Sequence, residues 1–295
     1  MEWTRDWGLT ARVWLTMFLL FIVYLIFMTI LWEFGAGMGL IVLLAVGMAF
    51  IQYFFSDKLV LWSTRARIIT NDEYPELHQI IEKLCKEADL PQPRIAIMQS
   101  PAPNAFATGR SPKHAVVACT DSILRLLNRD ELEAVLAHEL SHVKNRDILT
   151  MTVASFVAMI ASMVMQSFLF SALLGGGGRS RNGGGTIIVF IVSIVVWIVA
   201  TLLMLALSRY REFAADRGSA LITRNPEALI SALNKISGRM DAVPNQAKAK
   251  IQGANAFFII PALSGNTLME LFSTHPPLEK RIANLEKIQG ELRGY

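Results

Sequence analysis

Charged residues are scarce in this chain of 295 residues, and so are cysteines. Asp, Glu, Lys and Arg make up 18% of the sequence and hydrophobic residues 53%, and the mean hydropathy is +0.41. Water-soluble globular proteins carry about 25% charged residues, so this composition argues against an ordinary soluble domain. The two cysteines, Cys85 and Cys119, form no C-x-x-C motif, and we expect them to be buried free thiols.

Charge is absent altogether from four long apolar segments, residues 13–32, 40–55, 148–174 and 187–207. Each approaches or exceeds the roughly 20 residues that a helix needs to cross the hydrocarbon core of a bilayer. The sequence therefore predicts four transmembrane helices. The second is the least regular of the four, because several glycines loosen its start.

Basic residues flank these segments mainly on one side. The links that face the other side are residues 33–39, which contain no Lys or Arg, and residues 175–185, which contain only Arg179 and Arg181. The flanking residues are Arg5, Arg12, Lys58, Arg65, Arg67, Lys144, Arg146, Arg209 and Arg211. The positive-inside rule predicts an inner-membrane protein of the cell with both termini and most polar sequence in the cytoplasm. This distribution accounts for the formal charge of +4, so no nucleic-acid partner is inferred.

Polar sequence is confined to two blocks, which follow two pairs of apolar segments. Residues 1–56 hold the first pair, and residues 148–207 form a membrane hairpin between the polar blocks 57–147 and 208–295. The two blocks together have about 180 residues, enough for one well-buried domain. Neither block alone carries a complete site, so we interpret them as one domain that the hairpin interrupts.

Glycine and proline are missing from residues 129–174, which predicts a long helix. This stretch contains His138-Glu139-Leu140-Ser141-His142, the pattern H-E-x-x-H. Residues four apart on a helix lie roughly 40° apart on one face. His138 and His142 can therefore bind one Zn²⁺, and Glu139 lies close enough to take a proton from a water bound to the metal.

Residues 186–217 also lack glycine and proline, and they contain Glu212 and Asp216, again four apart. Antiparallel helices bring two residues level when the midpoint of their numbers falls in the connecting turn. The midpoint of 142 and 212 is 177, inside the glycine-rich stretch. We expect Glu212 to be the third zinc ligand, with water in the fourth position, and Asp216 to accept the far N–H of a ligand histidine. The alternative is a surface helix with two ordinary acids.

Two further segments are candidates for substrate binding. Between the predicted strands 94–98 and 115–119 lies Asn104-Ala105-Phe106-Ala107-Thr108-Gly109, whose small residues suit an edge strand that a peptide could extend; a plain connecting strand is the alternative. His275, in Thr274-His275-Pro276-Pro277, could donate a hydrogen bond to a substrate oxyanion with support from Arg281. A simple helix start explains the same residues.

Taken together, these motifs resemble those of the HtpX-type membrane zinc peptidases, relatives of the CAAX prenyl endopeptidases and the mitochondrial Oma-type proteases. The likeness rests on His-Glu-Leu-Ser-His followed by Val143-Lys-Asn-Arg-Asp147, on Glu212-Phe-Ala-Ala-Asp216, on the Asn104–Gly109 segment and on Thr-His-Pro-Pro. It implies one Zn²⁺ per chain, held by His138, His142 and Glu212 with Glu139 as catalytic base. It also implies a metalloendopeptidase that degrades damaged or misassembled membrane proteins in a stress response.

The predicted fold class is thus a mainly α membrane protein with four transmembrane helices and an α+β, zincin-like cytoplasmic catalytic domain. The expected partners are membrane-protein substrates and the lipid bilayer. A zinc-holding scaffold would leave Glu139 without a role, and a transporter would need ionisable residues that the four apolar segments lack. A CAAX-type processing enzyme is the nearer alternative, although that family is expected to have more spans.

The charge distribution makes the orientation testable with reporter fusions. A reporter fused after Tyr295 should behave as cytoplasmic, and one inserted within residues 175–185 should behave as external, because lysine and arginine hold their flanks on the cytoplasmic side. The measurement is the activity of a reporter that is active on only one side of the membrane. The opposite pattern would place the polar domain outside the cytoplasm.

Overall fold

The computed structural model of the protein describes residues 7–33, 38–173, 183–241 and 274–294. It is mainly helical with one small sheet. The chain divides into two compact units. The polar unit is drawn chiefly from Phe54–Leu149 and Ser208–Tyr295, and the apolar unit consists of Trp7–Tyr53 and Thr150–Leu207.

Four long helices supply the apolar unit: α1 (Trp7–Glu33), most of α2 (Met38–Thr64) and parts of α6 (Asp147–Leu173) and α7 (Gly183–Thr223). Within the described ranges, three stretches are long and apolar enough to cross a membrane, Trp7–Glu33, Asp147–Leu169 and Ile187–Thr223. A fourth is reached if the bent pair Val42–Phe55 and Asp57–Thr64 counts as one span. The structure thus has three to four candidate spans, and the glycine-containing second segment is the irregular one.

The helix that carries H-E-x-x-H ends before the third apolar segment, which corrects the prediction of one continuous helix from residue 129 to residue 174. The short helix α4 (Asp121–Leu126) precedes α5, which spans Arg129–Lys144, and α6 begins at Asp147. Arg146 between them has φ 56°, the left-handed conformation that ends an α-helix. Glycine usually occupies such a position, because other residues adopt the left-handed conformation only at a cost. Here the residue is an arginine, so the sequence carries no signal of the break. The continuous helix predicted for residues 186–217 is confirmed, and α7 extends beyond it at both ends.

A four-stranded sheet in the order β1-β2-β4-β3 lies in the polar unit. Its strands are β1 (Arg67–Ile68), β2 (Arg94–Met98), β3 (Ala105–Thr108) and β4 (Val116–Thr120). Strands β2 and β4 are parallel, whereas β1 pairs with β2 and β3 pairs with β4 in antiparallel fashion. The predicted strands 94–98 and 115–119 are confirmed, the second displaced by one residue. Strand β3 is an edge of this sheet, which agrees with the first of the two alternatives for residues 104–109, although Asn104, Ala105, Phe106 and Thr108 are buried.

Side chains alternate between the two faces of the sheet, as the two-residue period of a strand requires. Ile95, Ile97, Val117 and Cys119 join the main core with the helices α3 (Pro75–Ala88), α5 and α8 (Pro226–Asp241). Ala96, Met98, Val116 and Ala118 pack on the other side with Val60 of α2. Both faces are therefore buried, and each buried Val or Ile contributes about 1.5 to 3 kcal/mol.

Both cysteines are buried free thiols, as predicted. Burial raises the pKa of Cys85 to about 11. Burial, together with the charge of Glu139, raises the pKa of Cys119 to about 12. Neither thiol is therefore a nucleophile at neutral pH.

Helix ends in the polar unit follow the sequence signals. Asn128 and Glu131 form a capping box at the start of α5, and the Asn225 side chain accepts from the Ala228 N–H at the start of α8. The last helix, α9 (Leu278–Arg293), contains Arg281. The predicted turn 175–185 falls largely outside the described residues, although Gly183 already belongs to α7.

Gly109, which ends strand β3, should not tolerate a side chain. Its φ is +118°, and a Cβ there would lie 2.3 Å from the carbonyl oxygen of His114. Strain of this kind costs roughly 1 to 3 kcal/mol, so Gly109→Ala should lower the apparent Tm by roughly 2 to 12 °C. The matched control is Gly238→Ala, because Gly238 is an exposed helical residue of α8 with nothing within 4 Å of its added Cβ and should be neutral or slightly stabilised. Equal Tm values for the two variants in detergent would contradict the left-handed conformation at Gly109.

Candidate metal centre and active site

Helix α5 places its two histidines and the intervening glutamate in the interior of the polar unit. His138 is 1% exposed and Glu139 5%, whereas His142 is half-buried. The two imidazole rings lie 4.8 Å apart, centroid to centroid, and are nearly perpendicular. Two hydrogen bonds fix the helix from outside: Ser219 of α7 donates to the carbonyl oxygen of Ala134 at 2.7 Å, and Ser231 of α8 donates to Glu131 at 2.6 Å.

Glu212 of α7 comes level with the two histidines, as the register argument predicted. Its carboxylate oxygens lie 3.6 Å from His138 Nε2 and 3.5 Å from His142 Nε2. One ligand atom from each residue lies within 4.8 Å of the other two. Across the described parts of the chain, no second group of three His, Cys, Asp or Glu residues has this arrangement.

These distances suit a metal ion better than direct hydrogen bonds. Separations of 3.5 to 3.6 Å are too long for good N–H···O bonds. Ligand atoms bound to one tetrahedral zinc at 2.0 to 2.1 Å are about 3.3 Å apart. Two imidazole nitrogens and a carboxylate oxygen are also donors that zinc accepts in catalytic sites, so the residues fit the group that the sequence predicts.

The far nitrogen of each histidine faces a buried carboxylate. His138 Nδ1 lies 3.0 Å from Asp216 Oδ1, and His142 Nδ1 lies 2.5 Å from Asp147 Oδ2. A hydrogen on Nδ1 leaves the lone pair of Nε2 directed towards Glu212. Asp216 therefore lies where the sequence predicted it, whereas the contact of Asp147 was not predicted, because it depends on the break between α5 and α6.

Asp216 is neutralised by a guanidinium group from α9. Arg281 Nε and Nη2 lie 2.9 and 2.6 Å from the two oxygens of Asp216, and Arg281 Nη1 lies 3.7 Å from Glu212. Arg281 is only 2% exposed. Burial alone would lower the pKa of its guanidinium, but Asp216 and Glu212 outweigh burial and raise it. Arg281 thus contacts Glu212 directly and His138 through Asp216, whereas the sequence led us to expect it to support His275.

His275 contacts the same cluster from the segment before α9. Its Nδ1 lies 2.9 Å from Glu212 Oε2, and the residue is 7% exposed. The structure therefore brings His275 to the centre that the sequence predicted, next to the third candidate ligand.

The carboxylates around His138 stabilise the protonated form of its imidazole. Burial lowers the pKa of His138, but its contacts with Asp216 and Glu212 outweigh burial and raise the pKa to about 9. Burial raises the pKa of Glu139 above its ordinary value, although the neighbouring histidines partly oppose this shift. A glutamate with a raised pKa is a better proton acceptor than an exposed one.

Glu139 also contacts the edge strand. Its Oε2 accepts a hydrogen bond from the Ala107 N–H at 2.9 Å. The Thr120 N–H donates to the Asn104 carbonyl oxygen, so Asn104 faces β4. Because antiparallel strands alternate, Ala105 and Ala107 direct their backbone groups away from β4. The structure therefore brings one residue of the predicted strand, Ala107, into contact with Glu139.

The sequence and the fold both match known proteins. Residues 71–289 match the model of Peptidase family M48. "Protease HtpX homolog 2" of Methanosarcina acetivorans is 55% identical over 99% of each chain, and "Protease HtpX homolog" of Moorella thermoacetica is 53% identical over 97% of this chain and 96% of its own. The crystal structure of S. mikatae Ste24p is similar with a TM-score of 0.57, covers 94% of this chain and 67% of its own, and is 18% identical, which shows a shared fold. The chain therefore belongs to peptidase family M48, as an HtpX-type membrane metalloprotease.

Proposed function

We propose that this protein is a zinc-dependent membrane endopeptidase that hydrolyses peptide bonds of misfolded or damaged membrane proteins. The observation that carries the proposal is the convergence of His138, His142 and Glu212 beside a buried Glu139 that is hydrogen-bonded to an edge strand. The proposed metal ligands, the proposed base and a strand that could bind a peptide thus lie next to one another.

The metal would be held by the Nε2 atoms of His138 and His142 and by the Glu212 carboxylate. When bound at such a site, zinc polarises a carbonyl group and lowers the pKa of water to about 7. Asp216 and Asp147 would keep both imidazoles in the tautomer that offers Nε2. One metal ion per chain is expected, because the described residues contain one such group.

Glu139 would act as the general base and then as the general acid. Its carboxylate takes a proton from the attacking water as the new C–O bond forms, and it returns that proton to the amine nitrogen as the C–N bond breaks. The hydrogen bond from Ala107 fixes the direction of the carboxylate. His275 adjoins this centre through Glu212, which supports a role as a hydrogen-bond donor to the oxygen of the scissile carbonyl.

The substrate would bind as an extended strand along β3. The backbone groups of Ala105 and the carbonyl oxygen of Ala107 face away from β4, so they can pair with a peptide by strand addition, while the Ala107 N–H is bonded to Glu139. The small side chains of both alanines leave room for a neighbouring chain. An extended peptide is available in frayed or unfolded segments and not in packed elements, which supports misfolded proteins as substrates.

The catalytic domain, residues 57–147 and 208–295, would lie on the cytoplasmic side of the cell membrane together with both termini. The basic residues that flank the apolar segments support this orientation. In that location the accessible substrates are the cytoplasmic segments of membrane proteins. A CAAX-type processing enzyme would instead require a substrate with a prenylated carboxyl terminus. A cleavage assay can offer such a substrate in competition with an unfolded membrane protein.

The roles of base and ligand can be separated by glutamine substitutions. Glu139→Gln should keep near-normal zinc content and lose peptidase activity by roughly a thousandfold, because a positioned base contributes 10²- to 10⁴-fold. Glu212→Gln should lose both zinc and activity, because two histidines alone bind the metal weakly. Zinc is measured by elemental analysis of protein in detergent, and activity by cleavage of an unfolded membrane protein.

Glu133→Gln is the matched control, because Glu133 lies on the same helix and pairs with Lys83 away from the centre. It should keep both zinc and activity. An active Glu139→Gln protein would remove Glu139 as the base. Full zinc content in Glu212→Gln would remove Glu212 from the ligand set, and zinc without any cleavage in the wild type would favour a scaffold.

A further inference from the structure

A buried carboxylate outside the H-E-x-x-H and Glu212-to-Asp216 motifs contacts one of the candidate ligands. Asp147 Oδ2 lies 2.5 Å from His142 Nδ1, and Asp147 Oδ1 lies 3.1 Å from Arg211 Nε. Asp147 is 4% exposed, and the side chain of Arg211 is 16% exposed. Each oxygen of this carboxylate therefore has its own partner, an imidazole on one side and a guanidinium group on the other.

The same order of groups occurs around the other histidine. There, Arg281 contacts Asp216 with two nitrogens, and Asp216 contacts His138 Nδ1. Two series of contacts, each from an arginine through an aspartate to a histidine, thus lead to the centre from different helices. In both series the aspartate faces the far nitrogen of the histidine, and Nε2 faces Glu212.

The contacts of Asp147 join three helices next to the candidate metal ligands. His142 belongs to α5, Asp147 is the first residue of α6, and Arg211 precedes Glu212 on α7. An acidic residue at a helix start is favoured by the helix dipole. The left-handed Arg146 turns the chain so that α6 can begin with its aspartate against the ring of His142.

We propose that Asp147 and Arg211 are positioning residues for the metal centre. Asp147 holds the His142 ring in the tautomer and orientation that direct Nε2 to the metal, and Arg211 holds the Asp147 carboxylate in place. This inference rests on the proposed role of His142 as a metal ligand. It assigns Arg211 an effect that passes entirely through Asp147.

Metal affinity tests this role without reference to catalysis. Full-length variants in detergent compete for Zn²⁺ with a chromophoric chelator of known affinity. Loss of a carboxylate behind a ligand histidine weakens metal binding by roughly 10- to 100-fold, and this loss is expected for Asp147→Ala. Asp147→Asn should lose less, because its amide oxygen can still accept from Nδ1. The matched control is Asp57→Asn, which alters another buried aspartate paired with an arginine, Arg94, at 2.7 Å, and it should bind zinc as the wild type does.

A double-mutant cycle and Co²⁺ spectra separate positioning from fold stability. Arg211→Ala alone should weaken binding by less than Asp147→Ala, and it should add nothing in the Asp147→Ala background. The visible absorption of bound Co²⁺ should shift in Asp147→Asn and remain unchanged in Asp57→Asn, because it reports the geometry of the ligand set. If Asp147→Ala fails to fold, the Asn variant and Arg211→Ala carry the same comparison.

The possible outcomes distinguish this inference from the proposed function. If His142→Ala and Glu212→Gln lose zinc while Asp147→Ala and Asp147→Asn bind it with wild-type affinity and spectrum, the positioning role is wrong and the ligand set stands. If His142→Ala retains zinc, the proposed site itself is wrong. Additive losses in the double variant would overturn the assignment of Arg211 as acting through Asp147.

Discussion

The constraint on which the site depends is the burial of negative charge. Four carboxylates, those of Glu139, Asp147, Glu212 and Asp216, are each no more than 5% exposed. Two guanidinium groups, those of Arg211 and Arg281, face them. Metal binding would require both histidines to be neutral; the four carboxylates and two guanidinium groups would then leave two negative charges, which one divalent cation would balance. Because an unpaired buried ion costs several kcal/mol, Arg211 and Arg281 offset much of the cost of burying these carboxylates.

That balance also determines how the histidines are oriented. Each ring lies between a carboxylate at Nδ1 and the Glu212 carboxylate beyond Nε2. Once the Nδ1 side is occupied by Asp216 or Asp147, the Nε2 lone pair is the group left to bind a cation. The ligand geometry therefore follows from charges that lie behind the ligands, and those charges come from α6, α7 and α9, which meet at this point on α5.

The sequence predicted the parts of this site that depend on regular periodicity. His138, His142, Glu212 and Asp216 share helix faces at spacings of four residues, and the midpoint at residue 177 brought His142 level with Glu212. It could not predict the helix break at Arg146, because no glycine or proline marks it. The contacts of Asp147 with His142 and of Arg281 with Asp216 were missed for a related reason, since both depend on where a chain turns. Sequence spacing specifies residues on one helix, whereas a left-handed residue or a distant helix start is decided by tertiary contacts.

The hydrogen bond between Glu139 and Ala107 connects the proposed base to the strand beside which a substrate would lie. Consecutive residues of a strand are about 3.3 Å apart, so the outward groups of Ala105 lie roughly 7 Å from those of Ala107. A peptide that pairs with Ala105 is thereby placed at a fixed distance from the base at Ala107, whatever its side chains are. Recognition of this kind depends on main-chain hydrogen bonds and therefore tolerates many peptide sequences. Such tolerance suits removal of damaged proteins, which share exposed extended segments and not a common motif, better than the processing of one defined terminus.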